Sequence, residues 1–415
     1  MPNLAGIEHN PPLYNGGIGL YLHVPFCETK CPYCDFNTYS GIEDQIPGYV
    51  GAVENELRSW GNLLSNPPVR TIFLGGGTPS YLPVDDIESI LDTIRQSYVL
   101  AELAEITMEC NPGDVTPERA TNWLGSGVNR ISMGAQSFDD GLLKLLGRRH
   151  TATEARVAFK TLREAGFSNQ SLDLMYGLPH QTLKQWADSL DTTLELKPEH
   201  ISMYGLQIEN GTPLQVDVAK GRYPVPDDDL AADMYEEAQR RLNAYGFAQY
   251  EISNWSKAGM ESQHNLIYWR NEPYLGVGPG AHSWLAGSRF ANLKSPRLYA
   301  SILSEGAKFG GEGGPGDDNP VTAMRLPLGP VEMVDTTTPD VDVAETMMMG
   351  MRLSEGVSMS RFAGRFGAQL GDVFTDEISR LLDIGLIEIT GESIRLSKRG
   401  FLLGNEVFAE FIGDA

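Results

Sequence analysis

Short apolar runs and longer amphipathic segments alternate along the first half of the chain. The runs are rich in β-prone side chains, whereas the segments between them repeat apolar residues at helical spacing. Alternation of this kind predicts parallel strands joined by crossover helices. The predicted strands are Gly19–Val24, Thr71–Leu74, Glu105–Cys110, Arg130–Gly134, Ser171–Met175 and His200–Tyr204, and the predicted helices are Val53–Leu64, Ile87–Tyr98, Pro117–Leu124, Ala152–Ala165 and Leu183–Leu194.

Six such units predict an α/β fold with an incomplete parallel (β/α)6 barrel, and an open doubly wound sheet is the alternative. In a parallel barrel, functional groups gather at the C-terminal ends of the strands. Polar or glycine-rich residues stand at each predicted strand end, so we expect one site ringed by these ends. They are the cysteines after the first strand, Gly75 to Thr78, Glu109, Gln136, Asp173 and Gln207.

Three of the four cysteines lie on the loop after the first strand. Cys27, Cys31 and Cys34 are spaced C-x3-C-x2-C, while Cys110 lies in an apolar strand and is typical of a buried small residue. A structural zinc site normally has four protein ligands. An iron–sulfur cube also prefers four cysteines, so three would leave one iron open to a small molecule. Zinc and a disulfide remain alternatives.

Composition narrows the expected partners. The 415 residues include 55 acidic and 32 basic side chains, a net charge of −23. Such a chain repels phosphate backbones, so we expect no nucleic acid partner. The chain has no run of 18 apolar residues and no signal-like start, so we expect no membrane span, with peripheral contact left open. Few, clustered cysteines favour the cytoplasm.

The cysteine motif, followed by an aromatic residue, resembles the radical S-adenosylmethionine (SAM) enzymes. The resemblance implies a [4Fe-4S] cluster on Cys27, Cys31 and Cys34, whose open iron chelates SAM. The flanking YLHVPFC and CPYCDF resemble the oxygen-independent coproporphyrinogen III oxidase branch, and this likeness extends over about residues 18 to 300. It implies SAM contacts from Tyr21, Tyr33, Gly76, Gly77, Thr78, Glu109, Gln136, Arg148 and Asp173, with a weaker match at Gln207.

The residue types suit these roles. Glycines let backbone groups approach a ligand closely. Glu109 and Asp173 accept hydrogen bonds from ribose hydroxyls or an ammonium. The guanidinium of Arg148 can form a fork to a carboxylate. The alternatives are an ordinary tight turn, carboxylates on a solvated rim and a surface basic pair.

Two features distinguish sister groups within this branch. The coproporphyrinogen dehydrogenases carry a further cysteine at the position of Phe36, whereas the radical-SAM haem chaperones resemble this chain there. The stretch HNLIYW resembles a motif associated in those chaperones with haem binding. It implies haem contacts from His264, Asn265, Tyr268 and Trp269, since imidazole ligates iron and aromatic faces suit a porphyrin. The alternative is that these side chains pack a loop against the barrel.

Two further histidines, His23 and His282, are candidate haem ligands, although a satisfied core histidine is the more ordinary reading of both. The expected function is a haem chaperone that binds haem and transfers it to acceptor apo-haemoproteins. The alternative is an oxygen-independent coproporphyrinogen III dehydrogenase of porphyrin biosynthesis.

Composition also divides the chain. We expect a flexible tail over 1–16, the barrel over 17–304, a Gly/Pro-rich insertion or linker over 305–340 and a small α+β domain over 341–415. The last part combines three helices and a hairpin, which resembles a winged helix and the C-terminal domain of the coproporphyrinogen-oxidase branch. It holds 12 acidic and 7 basic residues, which favours docking over DNA binding.

Overall fold

The computed structural model describes residue 7, residues 16–304 and residues 320–412. Its first six strands are parallel, and they lie side by side in sequence order. A doubly wound sheet reverses its strand order, whereas this order advances in one direction, which confirms the barrel-type prediction. The strands are β1 (Ile18–Val24), β2 (Pro68–Gly76), β3 (Val99–Cys110), β4 (Arg130–Gln136), β5 (Gln170–Tyr176) and β6 (His200–Gly205).

Helices connect these strands and pack on one another around the sheet. Thr116 and Thr182 cap the helices that begin at Pro117 and Leu183, because their side chains accept hydrogen bonds from the backbone N–H groups three residues on. The helices are α1 (Ile46–Leu63), α2 (Val84–Ser97), α3 (Pro117–Gly125), α4 (Asp140–Leu145), α5 (Ala152–Ala165) and α6 (Leu183–Leu196).

The barrel stays open. In the part of the chain that the structure describes, β1 pairs with β2 and β9, and β6 pairs with β5 and β8, so β1 and β6 do not meet. The sheet has twelve strands in the order β12-β11-β10-β9-β1-β2-β3-β4-β5-β6-β8-β7. The added elements are α7 (Pro213–Ala219), α8 (Asp228–Ala244), β7 (Ala248–Glu251), β8 (Asn254–Ser256), α9 (Gln263–Trp269), β9 (Tyr274–Val277), β10 (His282–Leu285), β11 (Ser288–Asn292), α10 (Pro296–Ile302), α11 (Pro320–Ala323) and β12 (Val331–Thr336).

The linker predicted over 305–340 needs a correction. Residues 305–319 lie outside the described residues, but β12 is the edge strand of the large sheet and pairs antiparallel with β11. Val321, Met324 and Val331 are buried in the main hydrophobic core. Burial of these apolar side chains explains why the segment folds with the barrel. The tail predicted over 1–16 lies outside the described residues except for residues 7 and 16.

The C-terminal part is α+β and has a hydrophobic core of its own. Its three-stranded sheet has the order β13-β15-β14, and the predicted hairpin turns at Gly391, which has a φ of +58°. No described helix is long and apolar enough to cross a membrane. The elements are α12 (Pro339–Gly350), β13 (Val357–Ser358), α13 (Met359–Phe366), α14 (Leu370–Val373), α15 (Thr375–Asp383), β14 (Ile387–Thr390), β15 (Ser393–Leu396), α16 (Lys398–Leu402) and α17 (Gly404–Ile412).

Candidate cofactor site

The cysteine loop leaves β1 and is closed on itself by backbone hydrogen bonds. The N–H of Cys27 donates to the Tyr39 carbonyl over 2.9 Å, and the N–H of Tyr39 donates to the Pro25 carbonyl over 2.8 Å. Between these anchors, the N–H of Cys34 donates to the Cys31 carbonyl over 3.2 Å, which forms a tight turn. All three thiols are thereby held on one short, closed loop.

The glycine-rich turn after β2 extends the ladder with β1 as far as the cysteines. The N–H of Gly77 donates to the Val24 carbonyl over 2.7 Å, and the N–H of Thr78 donates to the Phe26 carbonyl over 2.8 Å. A Cβ added at Gly77 would stand 2.6 Å from the Phe26 carbonyl oxygen and 3.1 Å from the Cys27 sulfur. This position therefore requires glycine, because no side chain fits between the two loops.

Two buried carboxyl groups come from β3 and β5. Glu109 accepts a hydrogen bond from the Gly76 N–H over 3.1 Å, and burial, with the nearby Asp173, raises the pKa of Glu109 to about 8. The Ser132 hydroxyl lies 3.0 Å from both carboxyl oxygens of Asp173, whose pKa is raised by burial. Both acids face the same space and would favour a bound cation.

The fourth strand end and the loop after α4 add an amide and a guanidinium. Gln136 has a φ of +63°, a strained value for a residue with a side chain, and strain of this kind clusters at functional sites. Arg148 donates to the Gly134 carbonyl over 2.9 Å, and its second nitrogen lies 3.6 Å from the Cys31 sulfur. The arginine thus bridges the fourth strand and the cysteine loop.

These groups line one space of about 530 Å³, which we call the cysteine cavity. Its volume is within the 300–1,000 Å³ range of small-molecule sites. The predicted residues that it brings together are Cys27, Cys31, Cys34, Tyr33, Gly76, Gly77, Thr78, Glu109, Gln136, Arg148, Asp173 and Gln207.

Tyr21 is the predicted SAM contact that the structure places elsewhere. Tyr21 lies three residues before β1 ends, and its ring stacks on Phe73 with centroids 6.2 Å apart. Its hydroxyl lies 3.0 Å from Nδ1 of His23. Tyr21 does not line the cysteine cavity, which counts against the predicted contact.

The three thiols border the cavity without converging on one point. Among the described residues, no three His, Cys, Asp or Glu side chains converge closely enough to hold a single metal ion. Burial raises the pKa of the Cys27 and Cys34 thiols because it disfavours the thiolate. All four cysteines are free, so no disulfide forms.

Sequence reasoning missed Ser132 and Tyr204, which also line the cavity. Ser132 holds Asp173, as described above. Tyr204 is 44% exposed although it lies on β6, so its ring faces the cavity opening. Strand position could have found both. Ser132 shares a strand face with Gly134, two positions on, which lines the cavity, and Tyr204 is the last residue of the predicted sixth strand.

The HNLIYW stretch lies at the opposite end of the barrel. It forms α9, whose first backbone N–H groups at Gln263 and His264 each donate to the Glu105 carboxylate over 3.1 Å. His264 is fully buried beside Thr71, near the start of β2. About five residues separate Thr71 from the turn at Gly76, which corresponds to roughly 16 Å along the strand.

Both ring nitrogens of His264 are engaged. Nδ1 lies 2.8 Å from the Thr71 hydroxyl, and Nε2 lies 2.8 Å from the Tyr268 hydroxyl. Burial, with the nearby Arg130, lowers the pKa of His264 to about 3, so the ring is neutral. This pairing counts against the predicted iron ligation by His264. Asn265 is half-buried and does not line the cysteine cavity.

Comparisons with known proteins identify the family of this chain. The Radical SAM superfamily model matches residues 21–193, and the HemN C-terminal domain model matches residues 337–403. The heme chaperone HemW of Bacillus subtilis (strain 168) is 38% identical over 395 residues, which cover 95% of this chain and 99% of that protein. The chain belongs to the HemW family.

Two further relatives also match over most of this chain. The heme chaperone HemW of Mycobacterium tuberculosis (strain ATCC 25618 / H37Rv) is 35% identical over 418 residues, covering 100% of this chain and 98% of that protein. The mouse radical S-adenosyl methionine domain-containing protein 1, mitochondrial, is 35% identical over 398 residues, covering 92% of this chain and 84% of that protein. The HemW family relationship therefore includes both the barrel and the C-terminal part.

A solved structure supports the fold of this HemW family member. The coproporphyrinogen III oxidase HemN of Escherichia coli, a radical SAM enzyme, superposes with a TM-score of 0.79 at 21% identity. The superposition covers 99% of this chain and 92% of that one. At this identity the likeness establishes the fold, and the function has to be argued from the site.

Proposed function

We propose that this chain is a haem chaperone, which binds haem and transfers it to acceptor haemoproteins on a radical SAM scaffold. The observation that carries the proposal is its similarity, over nearly the whole length of both chains, to curated heme chaperones. The residue at position 36 agrees with it. Phe36 is 63% exposed beside the cysteine loop and offers no thiol where the dehydrogenases carry one.

The donor set fits a [4Fe-4S] cluster on Cys27, Cys31 and Cys34. A single zinc ion draws its sulfur ligands to about 2.3 Å from one point, whereas a cube binds each cysteine at a different iron. Three thiols that border a cavity with room for a further ligand suit a cube with one open iron. Free cysteines throughout the chain also suit the reducing cytoplasm.

The rest of the cysteine cavity fits SAM. Gly76, Gly77 and Thr78 present backbone close to Cys27, and Glu109 with Asp173 would hold the cationic amino group and the ribose hydroxyls. The buried Nε of Arg148 has no partner in the described part of the chain, and the guanidinium would bind a carboxylate. When bound, the cluster and SAM supply one-electron radical chemistry, and these residues orient the two and exclude water.

The experiment uses the full chain, reconstituted anaerobically with iron and sulfide. One sample receives haem and is then mixed with a b-type apo-haemoprotein, and transfer is followed by the Soret band of the separated proteins. A second sample receives SAM, a reductant and coproporphyrinogen III, with a known dehydrogenase as positive control, and products are separated by chromatography. We expect stoichiometric haem binding, transfer to the acceptor and no protoporphyrinogen.

The opposite results would identify the alternative. Conversion of coproporphyrinogen at a rate near that of the control would make the chain an oxygen-independent coproporphyrinogen III dehydrogenase. Failure to bind haem, in a sample that holds four irons per chain, would overturn the chaperone proposal even without such conversion. Haem that binds but never reaches the acceptor would overturn the transfer step.

A further inference from the structure

A second cavity opens between the barrel and the C-terminal part. We call it the side cavity, and its volume is about 340 Å³. It lies against β1, β9 and β10 and reaches α12 through Met349. Its volume falls in the range of small-molecule sites. Most of its wall is aromatic or able to ligate a metal, namely Tyr21, His23, Tyr268, Trp269, Tyr274, His282 and Met349.

The wall suits a flat, apolar ligand. Tyr268 and Tyr274 pack edge-to-face with centroids 4.6 Å apart, and Trp269 lies beside them on α9. The buried indole N–H of Trp269 has no hydrogen-bond partner among the described residues. Aromatic faces of this kind make favourable contacts with the conjugated ring of a porphyrin.

Hydrogen bonding decides which described histidines are free to ligate iron. His23 uses one ring nitrogen on the Tyr21 hydroxyl and the other on the Asn37 carbonyl. His200 uses its two nitrogens on the Ser171 and Tyr250 hydroxyls. His264 is engaged at both nitrogens by Thr71 and Tyr268, as the site geometry shows. These three imidazoles are therefore structural.

The remaining described histidines are His150, His180 and His282. His150 is buried and bonds the Ala135 carbonyl over 3.1 Å. His180 and His282 are exposed, and neither ring hydrogen-bonds to another described residue. His180 lies beside Tyr223 and lines neither cavity, whereas His282 borders the side cavity. His282 is thus the accessible imidazole at this site.

The surroundings of His282 favour the form that binds metal. Burial on one side, with the nearby Lys294, lowers the pKa of His282 below 6.5, so its imidazole is neutral at pH 7. Two charged side chains line the cavity, Arg289 and Glu272, and both are already paired. Arg289 lies 2.7 Å from Glu345, and Glu272 lies 2.6 Å from Arg70.

We propose that haem binds in the side cavity, with His282 as an axial iron ligand and Tyr268 and Trp269 as the wall against the porphyrin. The inference rests on the proposed function and places the haem at a site separate from the cysteine cavity. In this arrangement the HNLIYW stretch contributes ring contacts, and His264 holds α9 against the barrel. An iron ligand at an exposed cavity mouth also leaves one edge of the haem open to an acceptor protein.

The test is a haem titration of His282→Ala, His264→Ala and His180→Ala in the cluster-loaded full chain. The readouts are the Soret position, the low-spin electron paramagnetic resonance signal and the dissociation constant. We expect His282→Ala to weaken haem binding at least about tenfold and to lose the histidine-ligated signal, because one iron ligand is removed. His180→Ala is the matched exposed control and should bind like the wild type. Added imidazole should restore the signal of His282→Ala.

The outcomes separate this inference from the proposed function. If the wild type binds no haem, the chaperone proposal fails. If the wild type binds haem and His282→Ala keeps its spectrum and affinity, only the ligand assignment fails. Loss of the signal in a folded, cluster-loaded His264→Ala with retention in His282→Ala would place the ligand on α9 instead.

Discussion

The two ends of the barrel carry the same kinds of side chain but pair them differently. At the C-terminal end, Glu109 and Asp173 face the cysteine cavity, and burial raises the pKa of both. At the N-terminal end, Glu105 accepts two backbone hydrogen bonds from α9, and His264 is bonded at both nitrogens. One end leaves polar groups facing a cavity, whereas the other uses them to close the barrel.

This difference shows how to separate binding residues from packing residues. A buried polar group costs free energy unless it has a partner. When the protein itself provides every partner, as for His264, the group stabilises the fold. Where a side chain borders a cavity and a polar atom has no partner among the described residues, as for the Nε of Arg148, a ligand can supply that partner. Substitutions at the two ends of the barrel test this distinction through their effects on cofactor binding.

The largest effect should come from the cysteine loop. Cys31→Ala should lose the cluster almost completely after anaerobic reconstitution, because two remaining thiolates cannot hold a four-iron cube. Iron content and absorbance near 400 nm measure the loss of the cluster. Cys110→Ala is the matched control. Cys110 borders the same cavity, but it is buried in β3 outside the cysteine loop, so this variant should keep the wild-type iron content. Four irons per chain in Cys31→Ala would remove Cys31 from the ligand set.

A smaller effect should follow from adding one methyl group to the glycine turn. Gly77→Ala places a Cβ 2.6 Å from the Phe26 carbonyl oxygen, so the turn must move away from Cys27. Overpacking of this kind costs about 1–3 kcal/mol, and we expect SAM affinity to fall about tenfold or more by calorimetry.

Gly51→Ala is the control for this substitution. Gly51 lies in α1, and a Cβ there would meet nothing within 4 Å. It should leave SAM affinity unchanged and raise the free energy of unfolding by about 0.5–1 kcal/mol, because alanine is the better helix former. Equal SAM affinity in the two variants would show that the turn does not approach the ligand.

The pH dependence of SAM binding should report on Glu109. Its pKa of about 8 means that the carboxyl is mostly protonated at pH 7 and mostly ionised at pH 9. Only the ionised form attracts a cation, so affinity should rise over this range by up to about tenfold. The amino group of SAM titrates at a similar pH, so the same measurement is made on Glu109→Gln. The part of the rise that Glu109 causes should be absent in this variant. A constant ratio of the two affinities across this range would contradict the assignment.

Much of this organisation could be predicted from the sequence, because it follows from local patterns. The six strands, their order and the polar residues at their ends depend on alternation and on the parallel-barrel rule. Cysteine spacing identified the loop that the structure places on the cavity. Glu109, Gln136 and Asp173 were found because each stands at a predicted strand end.

The features that were missed depend on distant contacts. The helix α9 has seven residues, too few for a periodic signal. Besides its local N-cap Ser262, its first N–H groups are held by Glu105, 159 residues before His264. Tyr21 is held by Phe73 on the neighbouring strand β2, a contact that the local sequence pattern does not show. The edge strand β12 has the mixed pattern VEMVDT, which carries little information until β11 lies beside it.

The smallest effect on cofactor binding should come from the closed end. His264→Ala removes a buried ring and leaves Thr71 and Tyr268 without their shared partner, so the free energy of unfolding should fall by about 2–4 kcal/mol. Thr71→Val is a milder version, with an expected loss of about 1–2 kcal/mol. Denaturant unfolding measures both.

Cluster content and SAM affinity should match the wild type in each, since the substituted groups lie roughly 16 Å along the strand from the glycine turn. Loss of SAM binding in folded Thr71→Val would show that the two ends act as one site, and the comparison between them would fail.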